Sequence, residues 1–395
     1  MATLQTLAVA NYRSIRSLVM PLGQLNLITG ANGSGKSNLY RALRLLAEAA
    51  QGGIVSSLAR EGGLPSTLWA GPETISRGMK KGTIPIQGGP RKEPVNLRLG
   101  FLTDTVGYSI DLGLPAPEKP PPPRPTAFAH DPEIKRECVW AAPTLRPASI
   151  LADRRGPAVR IRRSDGDWDT AGRNLATFES MLAESSDPER APELMNLRDE
   201  VRSWRFYDHF RADAEAPARQ MQIGTRTPVL SHDGSDLAAA IQTIVEIGDH
   251  EGLDSAVDDA FPGARVEVEY GSSRFTLLFS QHGLLRPLSA AELSDGTLRY
   301  LLWIAALLTP RPPSLMILNE PETSLHPDLL PALARLIEKA SKRTQIWVVS
   351  HASRMIAALK EAKDCNAITL TKEFGETAIE GQGLLDAPPW KWPDR

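Results

Sequence analysis

The chain has 395 residues, enough for two or three domains of ordinary size, and 42% of them are hydrophobic. Its formal net charge of −2 excludes a protein that binds nucleic acid through overall positive charge, although a local basic groove remains compatible with it. The two cysteines, Cys138 and Cys365, exclude a cysteine-based zinc cluster and fit a reduced compartment. Neither a signal-peptide pattern nor an apolar run of about 18 residues is present, so we expect a cytoplasmic protein that does not enter a membrane.

The most informative motif is a glycine-rich loop at residues 30–37, which fits G-x-x-x-x-G-K-[ST] at every position. The alternation in residues 25–29 predicts a strand before it, and residues 38–50 predict a helix after it. Such a loop binds phosphates through its backbone amides and the helix N-terminus. We expect Lys36 to reach the β- and γ-phosphates of ATP and Ser37 to reach Mg²⁺. The full set of phosphate-binding candidates is Asn32, Gly33, Ser34, Gly35, Lys36, Ser37 and Asn38.

Further elements follow in chain order. Strands are predicted at 95–99, 108–112 and 137–140, an exposed polyproline loop at 115–125, an arginine-rich and turn-rich stretch at 143–170, mainly helices at 171–250, and a hairpin at 264–280. From residue 294 onward helices and strands alternate, with strands at 315–318, 346–350 and 368–370. This alternation is typical of an α/β fold.

The apolar run 315–318 predicts a buried parallel strand, and Asn319 and the acidic Glu320 follow it. Strand ends deliver side chains to a bound nucleotide, so we expect Glu320 to orient or deprotonate the attacking water. The preceding position usually holds an aspartate that contacts Mg²⁺ through water, but here it is Asn319. Its amide oxygen still accepts a hydrogen bond from such a water. The missing charge predicts weaker Mg²⁺ binding.

Two further candidates have simpler explanations when each is considered alone. Ser294 and Gly296 precede a predicted helix at 298–308, where they predict either an anion-binding helix start or an ordinary helix cap. His351 follows the predicted strand 346–350, where a histidine is more often structural than catalytic.

Together these motifs resemble the ABC-type ATPase heads of the SMC and RecF group, within which the compact predicted ATPases of bacteria and archaea are most similar. The matching segments, in the family's order, are 11–15 with Arg13, 30–37, 293–296, 315–320, 321–327 and 350–351. The resemblance implies a P-loop NTPase fold with a mixed β-sheet flanked by helices and a helical middle insertion. It covers about 1–50 and 285–372. We expect an N-terminal ATPase lobe at 1–140, an arginine-rich and helical insertion at 141–263, and a C-terminal ATPase lobe at 264–395.

The resemblance also implies roles for these residues. Arg13 would lie near the nucleotide, His351 would be the switch histidine, and Ser294 and Gly296 would cover the γ-phosphate held by the loop of a second subunit. An ATP-dependent homodimer with two composite sites, which hydrolyses ATP and reopens, is therefore expected. The glutamine that usually senses Mg²⁺ has four candidates, none after a clear strand, namely Gln51, Gln87, Gln220 and Gln222.

Six arginines within eighteen residues could line a nucleic-acid groove, namely Arg146, Arg154, Arg155, Arg160, Arg162 and Arg163. Interleaved aspartates leave a solvated, salt-bridged face as the alternative. Two functions follow. One is a DNA-associated ATPase in repair, recombination or phage defence that acts with a separately encoded nuclease or toxin effector. The other is an ATP-dependent regulatory or scaffold protein that controls a protein or toxin partner without DNA.

Overall fold

The computed structural model describes residues 3–85, 95–116, 126–163, 165–170, 174–184, 187, 189–271, 273–383 and 385–394. Most of the predicted polyproline loop (117–125) and the candidate Gln87 lie outside these residues. Contacts divide the chain into two compact units. The first comprises Met1–Leu22, Gly30–Ser203 and Thr369–Arg395, and the second comprises Gly23–Thr29 and Trp204–Ile368.

The described strands are β1 (Leu4–Tyr12), β2 (Ile15–Pro21), β3 (Leu25–Gly30), β4 (Leu97–Thr103), β5 (Val106–Gly113), β6 (Glu133–Ala141), β7 (Ile150–Arg155), β8 (Ala158–Arg162), β9 (Trp168–Thr170), β10 (Arg205–Tyr207), β11 (Gln222–Ile223), β12 (Arg265–Gly271), β13 (Arg274–Ser280), β14 (Leu288–Ser289), β15 (Leu315–Asn319), β16 (Gln345–Val349), β17 (Cys365–Glu373) and β18 (Glu376–Ile379). The described α-helices are α1 (Lys36–Ala50), α2 (Ile54–Arg60), α3 (Leu64–Thr67), α4 (Arg77–Lys80), α5 (Met181–Glu184), α6 (Pro192–Ser203), α7 (Leu237–Ile247), α8 (His250–Ala260), α9 (Asp295–Leu307), α10 (Leu330–Ser341) and α11 (Ser353–Lys360). Within these residues, none of the helices has the length and apolar content that crossing a membrane requires.

An antiparallel sheet of eight strands dominates the first unit, in the order β2-β1-β4-β5-β6-β7-β8-β9. Its inner face is mostly apolar, and α1 lies against β1 and β4. The expected turn-rich stretch at 143–170 is wrong, because β7, β8 and β9 extend the sheet there. Charged side chains alternate along β8 with the buried Val159 and Ile161, so arginines on the outer face hide the strand pattern.

A parallel sheet forms the centre of the second unit, in the order β10-β15-β16-β3. The apolar run of β15 is buried, as expected for a strand covered on both faces. Beside it, β11, β13 and β12 form an antiparallel sheet to which β14 adds at β13, and the predicted hairpin at 264–280 is confirmed as β12 and β13. Helices α7, α8, α9 and α10 supply much of the buried core.

The α/β fold expected for a P-loop NTPase is confirmed, since a parallel strand leads into the glycine-rich loop and a helix follows it. The expectation of mainly helices at 171–250 is incomplete. Strand β10 pairs with β15 at the edge of the parallel sheet, and β11 pairs with β13. These strands have three and two residues, too few to show a period of two in the sequence.

Candidate functional site

The glycine-rich loop has a backbone that only glycine accommodates at two of its positions. Gly30 has φ +142° and Gly35 has φ +112°. A Cβ atom at Gly30 would lie 2.3 Å from the backbone oxygen of Leu370, and one at Gly35 would lie 2.1 Å from Oγ1 of Thr377. At Gly33 (φ +77°) a Cβ atom would meet nothing within 4 Å. The loop therefore packs tightly against Leu370 and Thr377 at Gly30 and Gly35, and it has open space beside Gly33.

Lys36 folds back over this loop. Its Nζ atom donates hydrogen bonds to the backbone oxygens of Gly30 (2.6 Å) and Ala31 (3.2 Å), although Lys36 is the first residue of α1. Gly35 is the N-cap of α1 and offers no side chain to cap it, so the first amides of the helix stay available to an anion. The buried Oγ atom of Ser34 has no hydrogen-bond partner among the described residues. A cation, uncapped amides and an unpaired hydroxyl in one loop fit the phosphates of a nucleotide.

A chain of hydroxyl groups fixes the loop within the first unit. Thr377 donates from Oγ1 to the backbone oxygen of Ser34 (2.9 Å), and its Oγ1 lies 2.7 Å from Oγ of Ser14. Asn38 in turn donates from Nδ2 to Oγ of Ser14 (2.8 Å). The predicted phosphate-binding residue Asn38 thus helps to position the loop. Thr377 was not predicted from the sequence, because no local pattern marks a residue 343 positions beyond Ser34.

Arg13 lies in the turn between β1 and β2 with φ +50°. Its Nη2 and Nε atoms donate to one carboxylate oxygen of Glu61 at 2.7 and 3.1 Å, and the hydroxyl of Tyr12 donates to the same oxygen at 2.7 Å. The guanidinium is thereby held in a fixed direction. Its expected place near the nucleotide stays a prediction.

At the carboxyl edge of the parallel sheet in the second unit, β15 ends in Asn319 and is followed by Glu320. Asn319 pairs in register with Val349 of β16. Glu320 has φ +51°, and its amide donates to the backbone oxygen of Val349 at 2.8 Å. This non-glycine left-handed conformation costs free energy and turns the chain sharply at the strand end. The side chain of Glu320 is left 43% exposed, which suits a group that acts on a water molecule.

His351 follows β16 and lies beside two carboxylates. Its Nδ1 atom is 3.7 Å from Oε1 of Glu320 and 3.5 Å from Oε1 of Glu322. Glu322 is buried, and its Oε1 accepts hydrogen bonds from Oγ of Ser350 (2.7 Å) and from the amides of His351 (2.9 Å) and Ala352 (3.2 Å). The structure thus brings the predicted residues Glu320 and His351 together, and Glu322 fixes the backbone that carries the histidine.

Ser294 is the N-cap of α9, and its Oγ accepts from the amide of Thr297 at 3.1 Å. Before it, the backbone is held by Arg219, which sequence reasoning missed. Arg219 donates from Nη1 to the backbone oxygens of Ala290 (3.0 Å) and Leu293 (2.7 Å), and from Nη2 to the carboxylate of Asp295 (2.7 Å). The side chain of Arg219 is nearly buried. This one cation therefore fixes the turn that presents Ser294 and neutralises the acidic residue beside it.

Gly296 lies against the segment that follows Glu320. A Cβ atom there would be 3.4 Å from the backbone oxygen of Ser324, itself at φ +61°. One turn later, buried Arg299 donates to the backbone oxygens of Phe210 (3.0 Å) and Thr323 (3.2 Å). The start of α9 and the segment after β15 are thus tied together within the second unit. Residues 30–38 and Arg13 belong to the first unit, whereas Ser294, Gly296, Asn319, Glu320 and His351 belong to the second.

Comparison with known proteins identifies a family. Residues 25–353 match the sequence model of the family described as "AAA domain, putative AbiEii toxin, Type IV TA system". None of the curated proteins matches the chain.

Solved structures of SMC heads are similar to this chain at low sequence identity. An SmcHead bound to the C-winged helix domain of ScpA is 14% identical, with 98% of this chain and 100% of that chain covered and a TM-score of 0.49. The SMC head domain from Thermotoga maritima is 14% identical, with 97% and 100% covered and a TM-score of 0.45. A Smc head domain with an extended coiled coil from Pyrococcus furiosus, bound to the C-terminal domain of ScpA, is 14% identical, with 98% of both chains covered and a TM-score of 0.46.

Proposed function

The chain belongs to this family of AAA-type ATPase domains, and on that premise we propose that it is an ATP-driven switch, which binds and hydrolyses ATP and changes its association as it does so. The observation that carries the proposal is the loop at residues 30–37, where the cation of Lys36, the uncapped start of α1 and the unpaired Ser34 hydroxyl converge. These groups match the negative charge and the acceptor oxygens of a triphosphate.

The proposed chemistry is attack of water on the γ-phosphate. Glu320 accepts the proton of the attacking water, and His351, beside the same carboxylate, orients that water or senses the γ-phosphate. Mg²⁺, when bound, offsets charge on the β- and γ-phosphates. Ser37 and Asn319 are the residues that we propose to hold it, through a hydroxyl and an amide oxygen.

We further propose that two copies of the chain close on ATP. Ser294 is exposed at the start of α9, held there by Arg219, and Gly296 keeps the turn free of a side chain. In this proposal the turn of one subunit completes the phosphate site of the other, so each dimer has two sites. ATP favours the closed dimer, and hydrolysis removes that preference.

For the biological role, we propose association with DNA and action through a separately encoded nuclease or toxin effector. A regulatory protein that controls a toxin partner without DNA is the second candidate, because the family description names a toxin and a type IV toxin–antitoxin system. Both candidates need the same ATP switch. They differ in whether the closed dimer retains DNA.

Sedimentation velocity of the full chain tests the switch. With ATP and Mg²⁺, and most clearly in Glu320→Gln, the protein should sediment as a dimer, and without nucleotide it should sediment as a monomer. The same samples mixed with labelled DNA separate the two roles. ATP-dependent retention supports the DNA role, and its absence supports the toxin-partner role. A sedimentation coefficient that ATP leaves unchanged would refute the dimer switch.

A further inference from the structure

The outer face of the eight-stranded sheet carries a line of arginines across successive strands. In register, Arg98 of β4 pairs with Asp111 of β5, Asp111 with Arg136 of β6, and Arg136 with Arg155 of β7. Arg160 of β8 pairs with Asp153, two positions before Arg155 on the same face of β7. Because residues paired in register lie on the same face, these side chains share one surface. We call Arg98, Arg136, Arg155 and Arg160 the arginine row.

The row has an excess of positive charge at its centre. The buried carboxylate of Asp153 accepts from Nε of Arg136 (2.9 Å), Nε of Arg155 (3.1 Å) and Nη2 of Arg160 (3.2 Å). One negative charge is thus shared by three positive charges. Each contact uses one N–H group of a side chain that has five. Arg155 and Arg160 are about half exposed, and the hydrogen bonds to the shared aspartate hold both guanidinium groups in place.

Aromatic rings flank the row at both ends. The guanidinium carbon of Arg160 lies 5.3 Å from the ring centroid of Trp168 in β9, and this indole is 39% exposed. At the other end, Trp392 lines a small cavity with Arg98, Asp111 and Arg136. The ring of Trp392 is 5.2 Å from that of Trp390, which packs edge-on against Trp140 at 5.6 Å. Both aromatic platforms are therefore anchored to the sheet that carries the arginines.

We propose that single-stranded nucleic acid binds along the arginine row, with backbone phosphates on Arg155 and Arg160 and a base stacked on Trp168. Neighbouring strands are about 4.8 Å apart, so the exposed part of the row, from Arg155 of β7 to Trp168 of β9, spans about 10 Å, the length of one to two nucleotides. Phosphate-binding arginines beside exposed aromatic rings are the chemistry by which proteins hold single strands without reading their sequence. In a duplex the base faces are covered by their neighbours, so Trp168 would have no base to stack on.

This inference deepens the DNA part of the proposed function and corrects one expectation from the sequence. Arg154 does not belong to an exposed groove. Its side chain is fully buried on the opposite face, within 3.5 Å of the carboxylate of Glu137. Conversely, Arg98 and Arg136 lie in the row but outside the arginine-rich stretch. The alternation of a strand, rather than local arginine density, decides on which face of the sheet a cation lies, and on this face Arg155 and Arg160 are exposed whereas Arg136 is buried.

Fluorescence anisotropy of a labelled 20-nucleotide oligo(dT), titrated with the full chain at several salt concentrations and without ATP, tests the proposal. The double variant Arg155→Ala/Arg160→Ala should bind at least about tenfold more weakly. In a plot of the logarithm of the binding constant against the logarithm of the salt concentration, the slope should be shallower by about 1.4, since each lost phosphate contact on a single strand contributes about 0.7. Trp168→Ala should weaken binding about fivefold or more without changing the slope, because stacking releases no counterions.

The matched control is Arg190→Ala/Arg335→Ala, which also removes two exposed, ion-paired arginines but lies off the row and outside the arginine-rich stretch. It should keep the wild-type slope. The proposal is overturned if the wild type does not bind the oligonucleotide, if the control loses as much affinity as the row variant, or if Trp168→Ala binds like the wild type. Tighter binding of a duplex of equal length, or equal competition by polyglutamate, would also overturn it. ATP binding is measured separately, so failure there refutes the switch and leaves this result standing.

Discussion

The Nδ1 atom of His351 lies 3.7 Å from a carboxylate oxygen of Glu320 and 3.5 Å from one of Glu322. The two glutamates stand in different environments. Glu322 is buried and accepts three hydrogen bonds from the turn at Ser350, whereas the carboxylate of Glu320 is 43% exposed. A carboxylate that accepts hydrogen bonds from three fixed donors serves to hold the turn in place. We therefore propose Glu320 as the general base and Glu322 as a positioning residue.

Glu320→Gln should bind ATP as the wild type does and lose about 10²–10⁴-fold in turnover, because the amide cannot accept the proton of water. Phosphate release under saturating ATP and equilibrium binding of an ATP analogue measure the two quantities. Glu361→Gln, at an exposed position beyond α11, is the control and should keep full turnover. Unchanged turnover in Glu320→Gln would move the base to Glu322 or His351.

Asn319→Asp should tighten Mg²⁺ binding, since it adds a carboxylate at the end of β15 where the proposed metal lies. The midpoint of a Mg²⁺ titration of ATP hydrolysis should fall. The maximal rate has no fixed direction, because tighter binding of products can slow their release. A midpoint equal to that of the wild type would mean that Asn319 does not face the metal.

Ser294→Arg should abolish ATP-dependent dimerisation and leave ATP binding by the monomer intact. A long cationic side chain at the exposed start of α9 would collide with the second subunit and repel its Mg²⁺, while residues 30–37 of the same chain are unaffected. Sedimentation velocity and nucleotide binding report the two effects. Mixed with Lys36→Ala, the variant should regain at most one working site per dimer. Wild-type hydrolysis by monomeric Ser294→Arg would show that the chain is a self-contained enzyme.

Burial, aided by the nearby Asp104, raises the pKa of Glu200 in α6 to about 7. Between pH 4.5 and 7 the folded protein therefore keeps a proton on Glu200 that the unfolded chain releases. The free energy of unfolding consequently has its highest value with respect to this group below pH 4.5, and it falls as the pH rises towards 7. Glu200→Gln removes this loss. It should raise the free energy of unfolding by about 1–2 kcal/mol at pH 8, after allowance for partial exposure, and change it little at pH 4.5.

Urea titrations at the two pH values measure this difference. Glu193→Gln, at an exposed position of the same helix, is the matched control and should show little change at either pH. A Glu200→Gln variant whose gain is equal at pH 4.5 and pH 8 would contradict the raised pKa.

The parts of the site that local sequence marks were predictable. The loop and its flanking strand and helix, and the strand that ends at Asn319, follow from fixed motif spacing and uninterrupted apolar runs. The supports were not predictable. Each support is a side chain that forms hydrogen bonds with backbone atoms far away in the sequence, namely Arg219, Thr377 and Glu322. Such bonds leave no pattern in the sequence of the segment whose backbone takes part.

The outer face of the first sheet shows the same limit. The sequence makes the arginines at 146–163 obvious, but it does not indicate which of them face solvent. Arg154 and Arg155 are neighbours in sequence, yet one is buried and the other is half exposed. Only the pairing of β7 with β6 and β8 decides this, and such long-range pairing is not encoded in local composition.

Binding of ATP with Mg²⁺ to the wild type and to Lys36→Ala, measured by titration calorimetry on protein with unchanged melting temperature, tests the central claim most directly. The Nζ atom of Lys36 lies over the loop, so removal of this cation should weaken ATP binding by about tenfold or more, and by about a hundredfold if it bonds two phosphate oxygens. The control Lys342→Ala removes an exposed lysine of the second unit and should bind as the wild type does. Wild-type affinity in Lys36→Ala, or an absence of ATP binding by the wild type, would contradict the account.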